Sequence, residues 1–190
     1  MPYLKQGTNF LYDSTTNDII GIKDPDSGEK YFAIVAHAGA FHSEDTQTAS
    51  INTATNMEFP ATDISSGITV ASDTRLTVSR TGIYNVQFSA QFRNSDTAEA
   101  QADIWFRING INVPDSNTRI TIPKAHGGGD GFVVAAWNIY LTMTAGQYAE
   151  IMWSTPNTDV SIYHDSGLLL PTRPDVPSVI VTMNELYGIV

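Results

Sequence analysis

The chain has 190 residues, with 42% hydrophobic and only 16% charged side chains, enough for one domain with a core and an extra arm, in a surface poorer in charge than the ~25% usual for soluble domains. Twenty acidic against ten basic side chains leave a formal charge of −10, which disfavours nucleic acid and anionic membranes, since both are bound through cationic contacts. The absence of cysteine excludes disulfide frameworks, thiolate metal sites and Cys nucleophiles.

Thr, Asn, Ser and Gln take the place of the missing charge, and short polar side chains of this kind favour extended backbone over helix. The opening MPYLKQGTNF has neither a basic start nor a long apolar stretch, so no signal peptide is expected. The longest apolar run, FVVAAW, is far shorter than the ~20 residues that span a bilayer, and a soluble protein is expected.

Residues 1–36 read as a separate β-rich arm. Short apolar segments at Phe10–Tyr12, Ile19–Ile22 and Tyr31–Val35 are separated by the turn-forming stretches DSTTND and DPDSGE. Three such strands are marginal alone and need something to pack on. Residues 37–56, including HSEDTQTASINTATN, read as a polar connecting segment.

From residue 57 to 190 alternation becomes regular, with strand-like segments every 10 to 20 residues and almost no helical period. Two short strands, around Ile68–Val70 and Leu76–Val78, precede the most two-faced stretch of the chain, TGIYNVQFSAQF. There Tyr84, Val86, Phe88, Ala90 and Phe92 alternate with Asn85, Gln87, Ser89 and Gln91. Each large inward side chain would contribute roughly 1.5–3 kcal/mol on burial, which predicts a central strand. DIWFRINGINV predicts a hairpin, with Ile104, Phe106 and Ile108 on one face and Asn109-Gly110 as a type I′ turn. RITIP, FVVAAWNIYLTM, AGQYAEIMW, VSIYH, SGLLL and PSVIVTMNEL supply the remaining strands. The predicted fold class is all-β: two packed antiparallel sheets.

Motifs with catalytic associations read as structural. His126-Gly127-Gly128-Gly129 resembles an oxyanion loop, but no G-x-S-x-G elbow accompanies it and a glycine connection between strands is expected. Asp24-Pro25-Asp26-Ser27-Gly28-Glu29 fails the calcium-loop spacing, with Gly28 at a ligand position and Val35 where a bidentate Glu belongs. His37, His42, His126 and His164 are isolated, and Asp96, Glu99 and Asp103 sit in a polar stretch read as a solvated loop. No catalytic residue, metal site or cofactor is predicted. Trp105 and Tyr140 point away from the inward pattern of their strands, which leaves two readings, cover by loops or a subunit interface.

The series Thr81-Gly82-Ile83-Tyr84-Asn85-Val86-Gln87-Phe88, Arg107-Ile108-Asn109-Gly110, Met143-Thr144-Ala145-Gly146-Gln147-Tyr148-Ala149 and Ser166-Gly167-Leu168-Leu169 resembles, in order, motifs of the tumour-necrosis-factor and complement globular-head superfamily. Val86 stands where that family has an aromatic, and Gln147 where it has an acid. The resemblance implies a jelly-roll β-sandwich that assembles as a homotrimer with one sheet toward the threefold axis, and that binds macromolecules without enzymatic activity. The segment from Leu11 to Asp26 resembles an anchor of tailed-phage virion proteins, and Pro177–Met183 resembles phage and bacterial jelly rolls. Together these imply a virion structural protein, assembled in the host cytoplasm and bound to the major capsid protein or another virion protein. Phe10, Tyr12, Ile20, Ile22 and Phe32 are the expected capsid-anchoring residues, and Trp105 and Tyr140 the expected trimer contacts. A head decoration (cement) protein is the first expectation. A receptor- or carbohydrate-binding tail-fibre tip, using exposed aromatics with HGGGDG and YHDSG as its surface, is the second, and a glycan hydrolase a distant third.

Overall fold

Where the sequence alternates, the backbone pairs. The computed structural model describes residues 9–12, 19–23, 27–28, 30–32 and 37–188, and no helix occurs among them. The chain divides into two compact units, residues 1–36 and residues 37–190.

In the first unit β1 (Asn9–Tyr12), β2 (Ile19–Lys23) and β3 (Lys30–Phe32) form an antiparallel sheet in that order. Its register pairs Phe10 with Ile22 and Phe32 with Gly21. The turn read at 13–18, positions 24–26 and 29 of DPDSGE, and the third apolar segment beyond Phe32 lie outside the described residues.

The second unit begins with β4 (Ala38–Ser43), β5 (Gln47–Thr48), β6 (Thr55–Asn56), β7 (Ala61–Ser66), β8 (Ile68–Ala71) and β9 (Arg75–Val78). Next come β10 (Gly82–Asn94), β11 (Ala100–Ile108), β12 (Ile111–Asn112), β13 (Thr118–Ile122) and β14 (Gly131–Met143). It ends with β15 (Tyr148–Ser154), β16 (Val160–Ile162), the hairpin β17 (Leu168–Leu169) and β18 (Thr172–Arg173), and β19 (Val179–Gly188). One sheet runs β7-β4-β19-β10-β14, with β16 and β5 continuing beside the far end of β10. The other runs β8-β9-β15-β11-β13, with β12 also on β11 and β6 on β15.

The pairings are nested: β11 with β13, β10 with β14, β9 with β15, β4 with β19. Successive pairs fall in alternate sheets, which is a long hairpin rolled into a sandwich, the jelly roll. Between the sheets Tyr84, Val86, Phe88, Ala90 and Phe92 are at most 4% exposed. Phe88 meets Phe106 of the facing sheet edge-on at 5.9 Å, and Phe92 meets Trp153 at 5.6 Å, geometries that aromatic quadrupoles favour. At the predicted turn Asn109 and Gly110 both have positive φ (51° and 78°), as type I′ requires.

Residues 37–56, read as a connection, carry β4, β5 and β6, and β4 pairs with β19 along its length. Their inward positions in β4 are Gly39, Phe41 and Ser43, so one large side chain in three leaves almost no hydrophobic alternation. Asp103, read in a loop, lies within β11. The glycine run closes a hairpin, with the His126 N–H donating to the Gly129 carbonyl at 2.8 Å and the reverse bond at 3.1 Å.

Candidate interaction surfaces

The outward face of the sheet containing β10 is built from the residues between its core positions. β10 offers Asn85, Gln87, Ser89 and Gln91, and its register sets them beside Tyr140, Asn138, Ala136 and Val134 of β14. On the other side the same rows continue through Asn184, Thr182 and Ile180 of β19 to Ala38, Ala40 and His42 of β4. Across β4, β19, β10 and β14 this face holds no Asp, Glu or Lys, and Arg93 at one end is its one Arg, in a chain of charge −10. Large apolar groups stand out from it: Tyr140 is 63%, Val134 and Phe132 54%, and Ile180 41% exposed. Between them Gln87 is flanked by two shallow dips of about 230 and 270 Å³, where Ser89 and Ala136 are too small to fill the surface. An ordinary solvated face of an antiparallel sheet alternates to polar and charged residues. Charge depletion with protruding aromatic and aliphatic groups is instead the composition of an interface centre.

The rim beside this face is fixed. The Arg93 guanidinium lies 4.3 Å from the Tyr163 ring centre, and Phe132 packs on the same ring at 5.7 Å. The edge of β14 away from β10 has no paired strand among the described residues, leaving thirteen residues of strand open on one side.

A second surface lies on the opposite side of the sandwich. Trp105 of β11 borders a cleft of about 330 Å³ together with Asp103, Asn112, Val113, Asp115, Ser116, Asn117 and Ser154. The indole N–H donates to Asn112 Oδ1 at 2.9 Å, and Arg107 Nε–H donates to the same oxygen at 2.7 Å. Asp103 is held by two bonds from Arg119, both 3.0 Å, and one from Asn117 at 3.2 Å. The Arg119 bonds keep its carboxyl below the ordinary aspartate range against the opposing effect of burial.

Trp105 and Tyr140, expected together as trimer contacts, thus lie on opposite outer faces, one on each sheet. The expected anchoring residues Phe10, Tyr12, Ile20, Ile22 and Phe32 all fall on the three-stranded sheet of the first unit.

At the start of β4 a third cluster forms. Arg80 Nε–H donates to Glu185 Oε1 at 2.8 Å and a second guanidinium nitrogen contacts Glu185 Oε2, the Glu185 side chain being 2% exposed. The His37 N–H also donates to Glu185 Oε2, at 3.3 Å. Hydrogen bonding from Arg80 holds the Glu185 carboxyl below its ordinary value, outweighing burial. Of the other histidines, His42 Nδ1 lies 2.9 Å from Asp63 Oδ2, and His164 Nε2 lies 3.9 Å from Asp175 Oδ2. Among the described residues no group of three or more His, Asp or Glu side chains is placed to hold a metal ion.

No protein-family model matches the chain, and no curated protein matches it in sequence.

The cleft was not legible beforehand, because β11, β15 and the 112–117 loop meet only through the sheet pairing. The carboxylate-free face was half legible: its β10 residues are the polar half of TGIYNVQFSAQF, and their lack of acidic groups is written in the sequence.

Proposed function

We propose that this chain is a structural protein of a tailed-phage virion, a homotrimeric head decoration (cement) protein that binds the shell through residues 1–36 and displays the jelly roll. The observation that carries the reading is the outer face of β4, β19, β10 and β14, which holds no Asp, Glu or Lys and a single Arg at one end. Copies of a chain of charge −10 repel one another wherever their acidic surfaces meet. They can associate closely through a face that excludes carboxylates and presents Tyr140, Val134 and Ile180 to small residues such as Ser89 and Ala136. The motif resemblance supplies the threefold count, with this sheet turned to the axis. Tyr140 belongs to that contact, whereas Trp105 faces away from it.

The separate first unit supports an attachment role, since its short strands need a partner surface. Three such arms on one trimer would engage the major capsid protein at several points, so that linked weak contacts add avidity. Deleting residues 1–36 should abolish particle binding while leaving a folded trimer. Wild-type occupancy of capsids by the truncated protein would refute the attachment role.

A receptor- or carbohydrate-binding tail-fibre tip is the second reading, favoured by the Trp105 cleft on the face turned outward in such a trimer. Imaging of purified particles separates the two by copy number: hundreds on the head for cement, a handful at the tail for a fibre.

A further inference from the structure

We propose that the cleft beside Trp105 is a subsite for one neutral pyranose sugar. Its volume, about 330 Å³, lies at the lower end of the ~300–1,000 Å³ range of small-ligand sites, which suits a single ring rather than a long oligosaccharide. The apolar face of a pyranose stacks on an aromatic plane, and Trp105 provides that plane already pinned. Its N–H is bound to Asn112, and the Arg107 guanidinium lies over the ring, its carbon 5.8 Å from the ring centre, without lining the cleft. A fixed platform loses little side-chain entropy on binding.

The unused polar groups decide the ligand class. Asn112 spends its carbonyl oxygen on Trp105 and Arg107, leaving its NH₂ as a donor. Asn117 spends its NH₂ on Asp103, leaving its carbonyl oxygen as an acceptor. The Asp115 carboxylate and the Ser154 hydroxyl have no hydrogen-bond partner among the described residues. Donors and acceptors therefore alternate around the aromatic plane, which matches hydroxyl groups, each both donor and acceptor. The residues lining the cleft include two carboxylates, Asp103 (paired with Arg119) and Asp115, and no cation to receive an anionic ligand. Sialic acids and phosphosugars would be repelled.

The loop that carries these groups is built before any ligand arrives. The Ser116 hydroxyl accepts the Phe106 N–H at 3.1 Å and donates to the Val113 carbonyl at 2.8 Å, and Asp115 is held at φ 58°. The inference does not rest on where in a particle the protein sits, so failure of the head assignment would leave it intact.

The test is titration of the intact 190-residue protein with methyl glycosides of glucose, galactose, mannose and N-acetylglucosamine, and with N-acetylneuraminic acid, followed by amide chemical shifts. At least one neutral glycoside should give saturable shifts confined to residues 103–117 and 152–154, with a dissociation constant on the order of millimolar, as expected for one stacking platform and a few exposed hydrogen bonds. N-acetylneuraminic acid should give none. Trp105→Ala should weaken binding at least ~10-fold and Asn117→Ala about 3–10-fold, while Trp105→Tyr, which keeps an aromatic plane, should retain most of it. No saturable shift from any neutral glycoside up to ~50 mM, shifts mapping elsewhere, or undiminished binding by a folded Trp105→Ala variant would overturn the proposal.

Discussion

Gly67 has φ +70°, and a methyl group built on it would lie 2.3 Å from the His37 ring. Gly67→Ala combines left-handed strain with that clash, and a loss of about 2–3 kcal/mol is expected in chemical denaturation. Trp153 is fully buried, and its indole N–H has no protein partner among the described residues. Trp153→Phe removes an unpaired donor and costs ~1 kcal/mol or less, whereas Trp153→Ala leaves a cavity beside Phe92 and costs ~3–5 kcal/mol. Denaturation midpoints of the two variants check the contrast, and equal losses would show that the N–H is satisfied. At this scale the sequence was unevenly readable. The Asn109-Gly110 turn follows from local backbone preference alone, but the need for glycine at 67 comes from His37, thirty residues away in the chain.

Elements were legible in proportion to the contrast between their faces. β10 alternates large apolar with polar or small residues, β14 keeps a regular inward set in Val133, Ala135, Trp137, Ile139 and Leu141, and apart from Thr81 both predicted segments fall within the thirteen-residue strands observed. β7 is exposed along nearly all its length, and β4 buries Phe41 between two small residues, Gly39 and Ser43, so neither carries a clear hydrophobic period. Which strand pairs with which was set by contacts remote in sequence. The join of β4 to β19 shows this, because its rivet is a buried carboxylate, Glu185, whose partners Arg80 and His37 come from two other segments. The native carboxyl titrates below its ordinary value, so the unfolded chain binds the proton first as pH falls. The pair's stabilisation is present above the unfolded value near pH 4.3 and is lost as pH drops through the lowered native one. Arg80→Ala should cost on the order of 2 kcal/mol at pH 7, and the wild-type advantage should shrink on acidification below about pH 4. A wild-type-to-variant gap constant from pH 7 to 3 would show that the pair does not carry this dependence.

For the whole molecule, the choice of associating face is a prediction about charge. Tyr140→Glu places a carboxylate on the edge strand of this carboxylate-free surface, repeated in every copy and desolvated in the proposed contact. Sedimentation should report monomer with an unchanged far-ultraviolet spectrum, while Trp105→Ala on the opposite face should leave the trimer intact. A Tyr140→Glu variant that stays trimeric would move the contact elsewhere. The two-unit division, the jelly roll and the lack of charge on one face trace to residues in order along the chain. The cleft required folding to bring Ser154 beside Asp103, its partner in the sheet. The join at Glu185 has a mechanical consequence as well. Tension on residues 1–36 enters the sandwich at His37, whose N–H and carbonyl are both bonded to Glu185. From there β4 runs through six successive residue pairs with β19. A pull directed along that strand would therefore load all six pairs in shear, instead of peeling them one by one.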